Sequence, residues 1–207
     1  METMISDLEV TPEEYLIRER QAEYRHEYVA GQTLAMSGVT RRHNLISVNM
    51  TREISNGLKG RLCEAYAADM RVRLEGAEFY TYPDVVAVCG EPRFEDGVLD
   101  TLLNPTVIVE TLSPSTESYD RGEKFAYYRQ IASFQDYVLL SQGRMRVEHY
   151  TRQGEFWLYV ALERPEDTLN LASIGCHILL AEIYDKVVFD NEEPQSTPDS
   201  ADGFADR

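Results

Sequence analysis

The stretch Thr106–Lys124, TVIVETLSPSTESYDRGEK, constrains this chain most. It opens with apolar β-formers, Val107, Ile108 and Val109, and then sets Glu110 inside the same run. A carboxylate buried in a strand costs several kcal/mol unless something compensates it. A bound cation is the most economical compensation. The competing reading is a half-buried strand acid satisfied by an arginine, Arg71 or Arg73.

Upstream, Tyr82-Pro83-Asp84 leads into a second apolar run, Val85-Val86-Ala87-Val88, and sets Asp84 at its mouth. A turn residue after proline is the plainer account of Asp84; its pairing with Glu110 is what argues for function. Downstream, Asp120-Arg121-Gly122-Glu123 has the pattern of a capping box. It predicts a helix from Arg121 to about Ile131 with Lys124 in its first turn. Two carboxylates and a lysine, delivered by two strands and a helix, are the parts of a metal-dependent phosphodiesterase.

The rest of the chain surrounds these parts. Thr11-Pro12-Glu13-Glu14 is a helix start. Residues 24–37 read as a hairpin turning near Ala30-Gly31, with His26 and Glu27 on its first arm. Ile46, Met50, Ile54 and Leu58 recur every four residues and predict a helix from about Arg41 to Lys59. Short strands are expected at Leu62–Ala67, Met70–Leu74 and Phe79–Val88, the last containing Asp84. Gly90–Asn104 reads as a loop or crossover. Strands follow at Tyr137–Ser141, Met145–Thr151 and Phe156–Leu162, and Trp157 fits a sheet face or a subunit contact. Leu179, Ile183 and Val187 predict a late docking helix. This order implies an α/β fold, a mixed sheet with helices packed on it.

Length and charge set limits. The 207 residues fit one domain over about 11–190, with a flexible N-terminus at 1–10 and a disordered acidic tail at 191–207. No apolar run is long enough to span a membrane, and no secretory leader is visible, so a cytoplasmic protein is expected. Cys63, Cys89 and Cys176 show no metal spacing and read as thiols in a reducing compartment. The net charge is −16, and setting aside −4 in the tail and −3 in the first ten residues leaves −9 in the body. Binding to DNA phosphates then requires a local basic strip, a bridging metal or a second subunit.

Pro83-Asp84, Ile108 to Ser115, Asp120-Arg121-Gly122-Glu123-Lys124-Phe125 with Tyr128, and Asp136-Tyr137-Val138-Leu139 together resemble the Uma-type family of restriction-endonuclease-like proteins. Glu27-Tyr28 with Gly31, and Arg42-His43-Asn44, extend the match, which runs from about Thr11 to Tyr184. The family is placed in the PD-(D/E)XK nuclease superfamily. The resemblance implies a restriction-endonuclease-like mixed β-sheet flanked by helices, with a divalent-metal site at one end of the central strands. Carried across, Asp84 is the PD aspartate and Glu110 the second acid. The superfamily lysine is expected two residues after that acid, where this chain has Leu112; in this family the lysine stands on the following helix, as Lys124.

On this reading Asp84, Glu110 and the main-chain carbonyl of Thr111 hold Mg²⁺ or Mn²⁺. Lys124 orients the attacking water or offsets charge on the phosphorane. Glu27 is either a further acid of the site or an exposed hairpin acid. His43 reads first as a surface or capping residue, and second as a phosphate contact. The expected activity is a Mg²⁺-dependent DNA endonuclease, working as a homodimer. Two competitors are a non-catalytic interaction module on the same fold and a metal-dependent hydrolase of a small phosphorylated substrate. A basic strip beside Asp84 discriminates, since only DNA calls for one.

Overall fold

Thr11 caps the first helix, α1 (Pro12–Glu19), by a reciprocal pair of hydrogen bonds with Glu14. This is a computed structural model, and it describes residues 10–36 and 38–189. The expectations for residues 1–9 and for the acidic tail lie outside those residues. In chain order there follow β1 (His26–Val29), β2 (Gln32–Ala35), α2 (Arg41–Gly57), β3 (Cys63–Ala67), β4 (Arg71–Arg73), β5 (Phe79–Thr81), β6 (Val85–Cys89), β7 (Thr101–Leu102) and β8 (Val107–Leu112). A short helix α3 (Glu117–Tyr119), a π-helical turn (Asp120–Lys124) and α4 (Phe125–Tyr128) cross over to β9 (Asp136–Ser141). The chain then runs through β10 (Val147–Gln153), β11 (Phe156–Leu162), β12 (Thr168–Leu171), β13 (Cys176–Leu179) and α5 (Leu180–Ile183).

Six strands form the main sheet, in the order β11-β10-β9-β8-β6-β3. Only β8 and β9 run parallel within it, because only they are joined by a helical crossover. A second sheet, β2-β1-β5-β4-β7, covers part of one face. Residue alternation in β8 divides the core. Val107 and Val109 pack with Ile46, Met50 and Ile54 of α2 and with residues of β12, β13 and α5. Ile108 and Leu112 pack the other way, with Val72 and Phe79 of the second sheet and Phe125 and Tyr128 of the crossover. Glu110 shares the parity of Ile108, so it enters the space between the main sheet, the second sheet and the crossover.

Several expected elements are corrected. The single strand over Phe79–Val88 is two strands in different sheets, because Pro83 lacks the N–H a ladder needs. The crossover helix starts at Glu117 rather than Arg121, with the Ser113 hydroxyl accepting the Thr116 N–H at 3.2 Å. Asp120 therefore caps nothing; the wider π turn brings both Asp120 and Lys124 inward, each about 5% exposed or less. The loop over Gly90–Asn104 contains β7. The late docking helix is only the four-residue α5, preceded by the β12–β13 hairpin.

Cysteine is corrected too. The antiparallel register sets Cys63 opposite Cys89 with Cα atoms 4.1 Å apart, and the two form a disulfide. Cys176 is a buried thiol. Among the described residues no helix is long and apolar enough to cross a membrane.

Candidate active site

Ladder register brings the two predicted acids together. Strands β6 and β8 are antiparallel, and their pairing ends at Val85↔Val109. One step further along the same register, Asp84 faces Glu110. The Asp84 carboxylate sits where the next rung of the ladder would be, and its Oδ2 accepts the Thr111 N–H at 2.7 Å. The N–H and C=O of a strand residue point to the same side, so the Thr111 carbonyl is also directed toward Asp84. The Thr111 hydroxyl lies 2.9 Å from that of Ser47 on α2.

Glu110 is 5% exposed and its partners are specific. Its Oε1 accepts from the Lys124 ammonium at 3.1 Å and from the Tyr128 hydroxyl at 2.9 Å. Lys124 also donates to Glu27 Oε1 at 2.9 Å and approaches Asp120 Oδ1 at 3.5 Å. Thr81, which stands across from Glu27 if the β1–β5 register is extended one residue, donates its hydroxyl to Glu27 Oε1. Glu27 is therefore a buried member of the cluster and not an exposed hairpin acid. The arginines considered as partners for Glu110 are engaged elsewhere: Arg71 with Asp100 and Arg73 with Glu95.

The electrostatics follow from burial and crowding. Burial is the main cause that pushes the Glu110 carboxyl up to about 8; Lys124 opposes it, and Asp120, Asp84 and Glu27 add to it. Burial and Glu27 raise Asp120 against the pull of Lys124. Burial works to lower Lys124, but Glu110, Glu27 and Asp120 outweigh it and hold the ammonium well above its usual range. Three carboxylates, Glu27, Glu110 and Asp120, thus crowd a single lysine, and Asp84 faces Glu110 at the end of the ladder. The donors there, two carboxylates and a carbonyl, are hard oxygens of the kind Mg²⁺ takes while keeping several waters. Among the described residues no group of three or more His, Cys, Asp or Glu is spaced for a metal; Asp84 and Glu110 supply two carboxylates side by side, and a third oxygen would have to come from the main chain, as at Thr111. The Tyr119 hydroxyl is buried without a hydrogen-bond partner, and its ring centre is 5.9 Å from Lys124 Nζ.

Sequence reasoning missed or misjudged three residues here. His43 was expected at the surface, yet its Nε2 lies 2.6 Å from Asp84 Oδ1. Asp120 was assigned to a cap. Gln142, which reaches His43 Nδ1 at 3.3 Å, carried no signal, since it simply follows the end of β9. The pair of motif residues Arg42-His43 was the one available hint for His43.

A mixed sheet with two carboxylates at the mouth of adjacent central strands and a buried lysine beside them defines a nuclease-like α/β protein. The chain belongs to the Uma2 family, described as "Putative restriction endonuclease", which matches residues 12–180. Two Synechocystis relatives are uncharacterised proteins. The first, sll1609, is 36% identical over 154 residues, covering 74% of this chain and 87% of the relative. The second, slr1290, is 35% identical over 180 residues, covering 87% and 94%. The crystal structure of a "putative nuclease" from Anabaena variabilis shares the fold at a TM-score of 0.71 and 19% identity, covering 86% of this chain and 99% of that one.

Proposed function

We propose that this protein is a Mg²⁺-dependent endonuclease that hydrolyses DNA phosphodiester bonds. The observation that carries the reading is the juxtaposition of Asp84 and Glu110 at the end of the β6–β8 ladder, with Lys124 Nζ 3.1 Å from Glu110. Asp84, Glu110 and the Thr111 carbonyl would hold the ion. When bound, Mg²⁺ polarises the scissile phosphate and lowers the pKa of a water. Lys124, fixed by Glu27 and Glu110, holds its charge beside the attacking water and the phosphorane oxygens.

A basic stretch beside Asp84 supports a nucleic-acid substrate. Arg41 and Arg42 open α2 immediately before His43 and line a cleft of about 700 Å³ with Ser113, Gln142 and Gly143. Arg41 is exposed, as is Arg144 just beyond the cleft. Glu117 also lines this space, so the strip is local. The same reading includes a homodimer. The edge strand β11 leaves Phe156, Leu158 and Val160 79%, 49% and 41% exposed on one face of the sheet, and packing of that face against a second copy would cover them.

The test is cleavage of supercoiled plasmid with Mg²⁺, Mn²⁺ or EDTA, alongside Asp84→Asn and Glu110→Gln. Cutting that requires metal and is lost in both variants is the expected result. No cutting together with no metal binding by calorimetry would overturn the reading in favour of a non-catalytic module.

A further inference from the structure

Asp84 is gripped by a chain of side chains that the reading above does not use. His43 Nε2 lies 2.6 Å from its Oδ1, while the Thr111 amide holds Oδ2. Behind His43 stands Gln142, whose Nε2 is 3.3 Å from His43 Nδ1 and 2.7 Å from the Leu112 carbonyl. Gln142 Oε1 accepts the Thr40 hydroxyl at 2.7 Å.

The direction of every bond in this chain is determined. A main-chain carbonyl can only accept, so the Gln142 atom against Leu112 must be the amide nitrogen. Its second N–H is then the one that meets His43 Nδ1, which must accept. The imidazole proton therefore sits on Nε2 and is donated to Asp84.

We propose that Gln142, acting through His43, is a positioning residue that fixes the Asp84 carboxylate for metal binding; this rests on the metal reading above. Asp84 lies outside the last ladder pair, and its side chain is 17% exposed. Without the His43 bond only the Thr111 amide restrains its rotation. A donor on each oxygen fixes the plane of the carboxylate, and a fixed orientation is what a metal ligand requires. Partners of this kind are worth 10- to 100-fold in metal affinity. Gln142 also ties the end of β9 to the end of β8 through Leu112, so a purely structural role is the alternative the test must exclude.

The experiment uses the full chain and Mn²⁺ itself as the probe. Calorimetry measures Mn²⁺ affinity for the unmutated protein, Gln142→Met, His43→Leu and His43→Gln. Long-range ¹H–¹⁵N NMR reads the His43 tautomer, and thermal unfolding runs in parallel. Gln142→Met and His43→Leu are expected to weaken Mn²⁺ binding about 10- to 100-fold. His43→Gln, whose Nε2 reproduces the donor, should retain most of the affinity. The unmutated protein should show the Nε2–H tautomer, and Gln142→Met a mixture. An Nδ1–H tautomer in the unmutated protein overturns the proposal even if a variant fails to fold. So does unchanged Mn²⁺ affinity in folded Gln142→Met, which leaves the metal reading intact. No Mn²⁺ binding by the unmutated protein removes the metal reading and this proposal together.

Discussion

The Lys124 ammonium donates to Glu27 Oε1 at 2.9 Å, joining the first hairpin to the crossover helix inside the core. With Glu110 and Asp120 on the same ammonium, this lysine is the only cation in contact with three buried carboxylates among the described residues. Removing it leaves those charges uncompensated, a situation that costs about 3–5 kcal/mol in buried ion pairs. Lys124→Met should be destabilised by that order in urea unfolding. Adding Glu27→Gln to Lys124→Met should recover part of the loss, because the carboxylate nearest the missing ammonium is gone. A double variant as unstable as the single one would show that the cluster is not electrostatically coupled.

Asp100 gives a pH dependence away from the site. Arg20 holds its carboxyl well below the usual range, and Arg71 adds to this. A depressed carboxylate stabilises the fold fully above its unfolded value of about 4 and loses that contribution as pH falls through the folded value. The difference in Tm between the unmutated protein and Asp100→Asn should be constant at pH 5–8 and shrink steadily below pH 4. A difference that grows on acidification would contradict the ion pairing.

The Cys63–Cys89 disulfide closes a loop with a sequence separation of 26. A cross-link of that span is worth about 3.5 kcal/mol in the loop-entropy account. Dithiothreitol should therefore lower Tm, and Cys63→Ser/Cys89→Ser should match the reduced protein. Thiol titration of the unfolded chain should count one thiol, Cys176, without reductant and three with it.

Gly57 ends α2 against Cys176. A Cβ at Gly57 would lie 2.5 Å from the Cys176 sulfur. Gly57→Ala should cost about 1–3 kcal/mol through overpacking. Cys176→Ala in the same chain removes that sulfur and should relieve much of the cost in thermal or urea unfolding. No relief would mean that the strain lies elsewhere.

Much of the candidate site was legible because its signals are local. Glu110 stands out as a charge within an apolar run, and Asp84 as the residue between a proline and a second such run. The four-residue period of Ile46, Met50 and Ile54 marks the buried face of α2, and Thr11 marks the start of α1. Each of these depends on neighbours within a few positions, so the amino-acid sequence by itself determined them.

What only the tertiary structure decided are pairings between distant polar groups. His43 and Gln142 are 99 residues apart, and no periodicity relates them. Asp120 looked like a cap because its neighbours suit one; the π turn, set by packing of the crossover on the sheet, buries it instead. The break at Pro83 was visible, but that β5 and β6 enter different sheets was not. Register likewise placed Cys63 against Cys89. A hydrogen-bonding side chain carries no local mark of its partner; that choice is made when strands and helices dock.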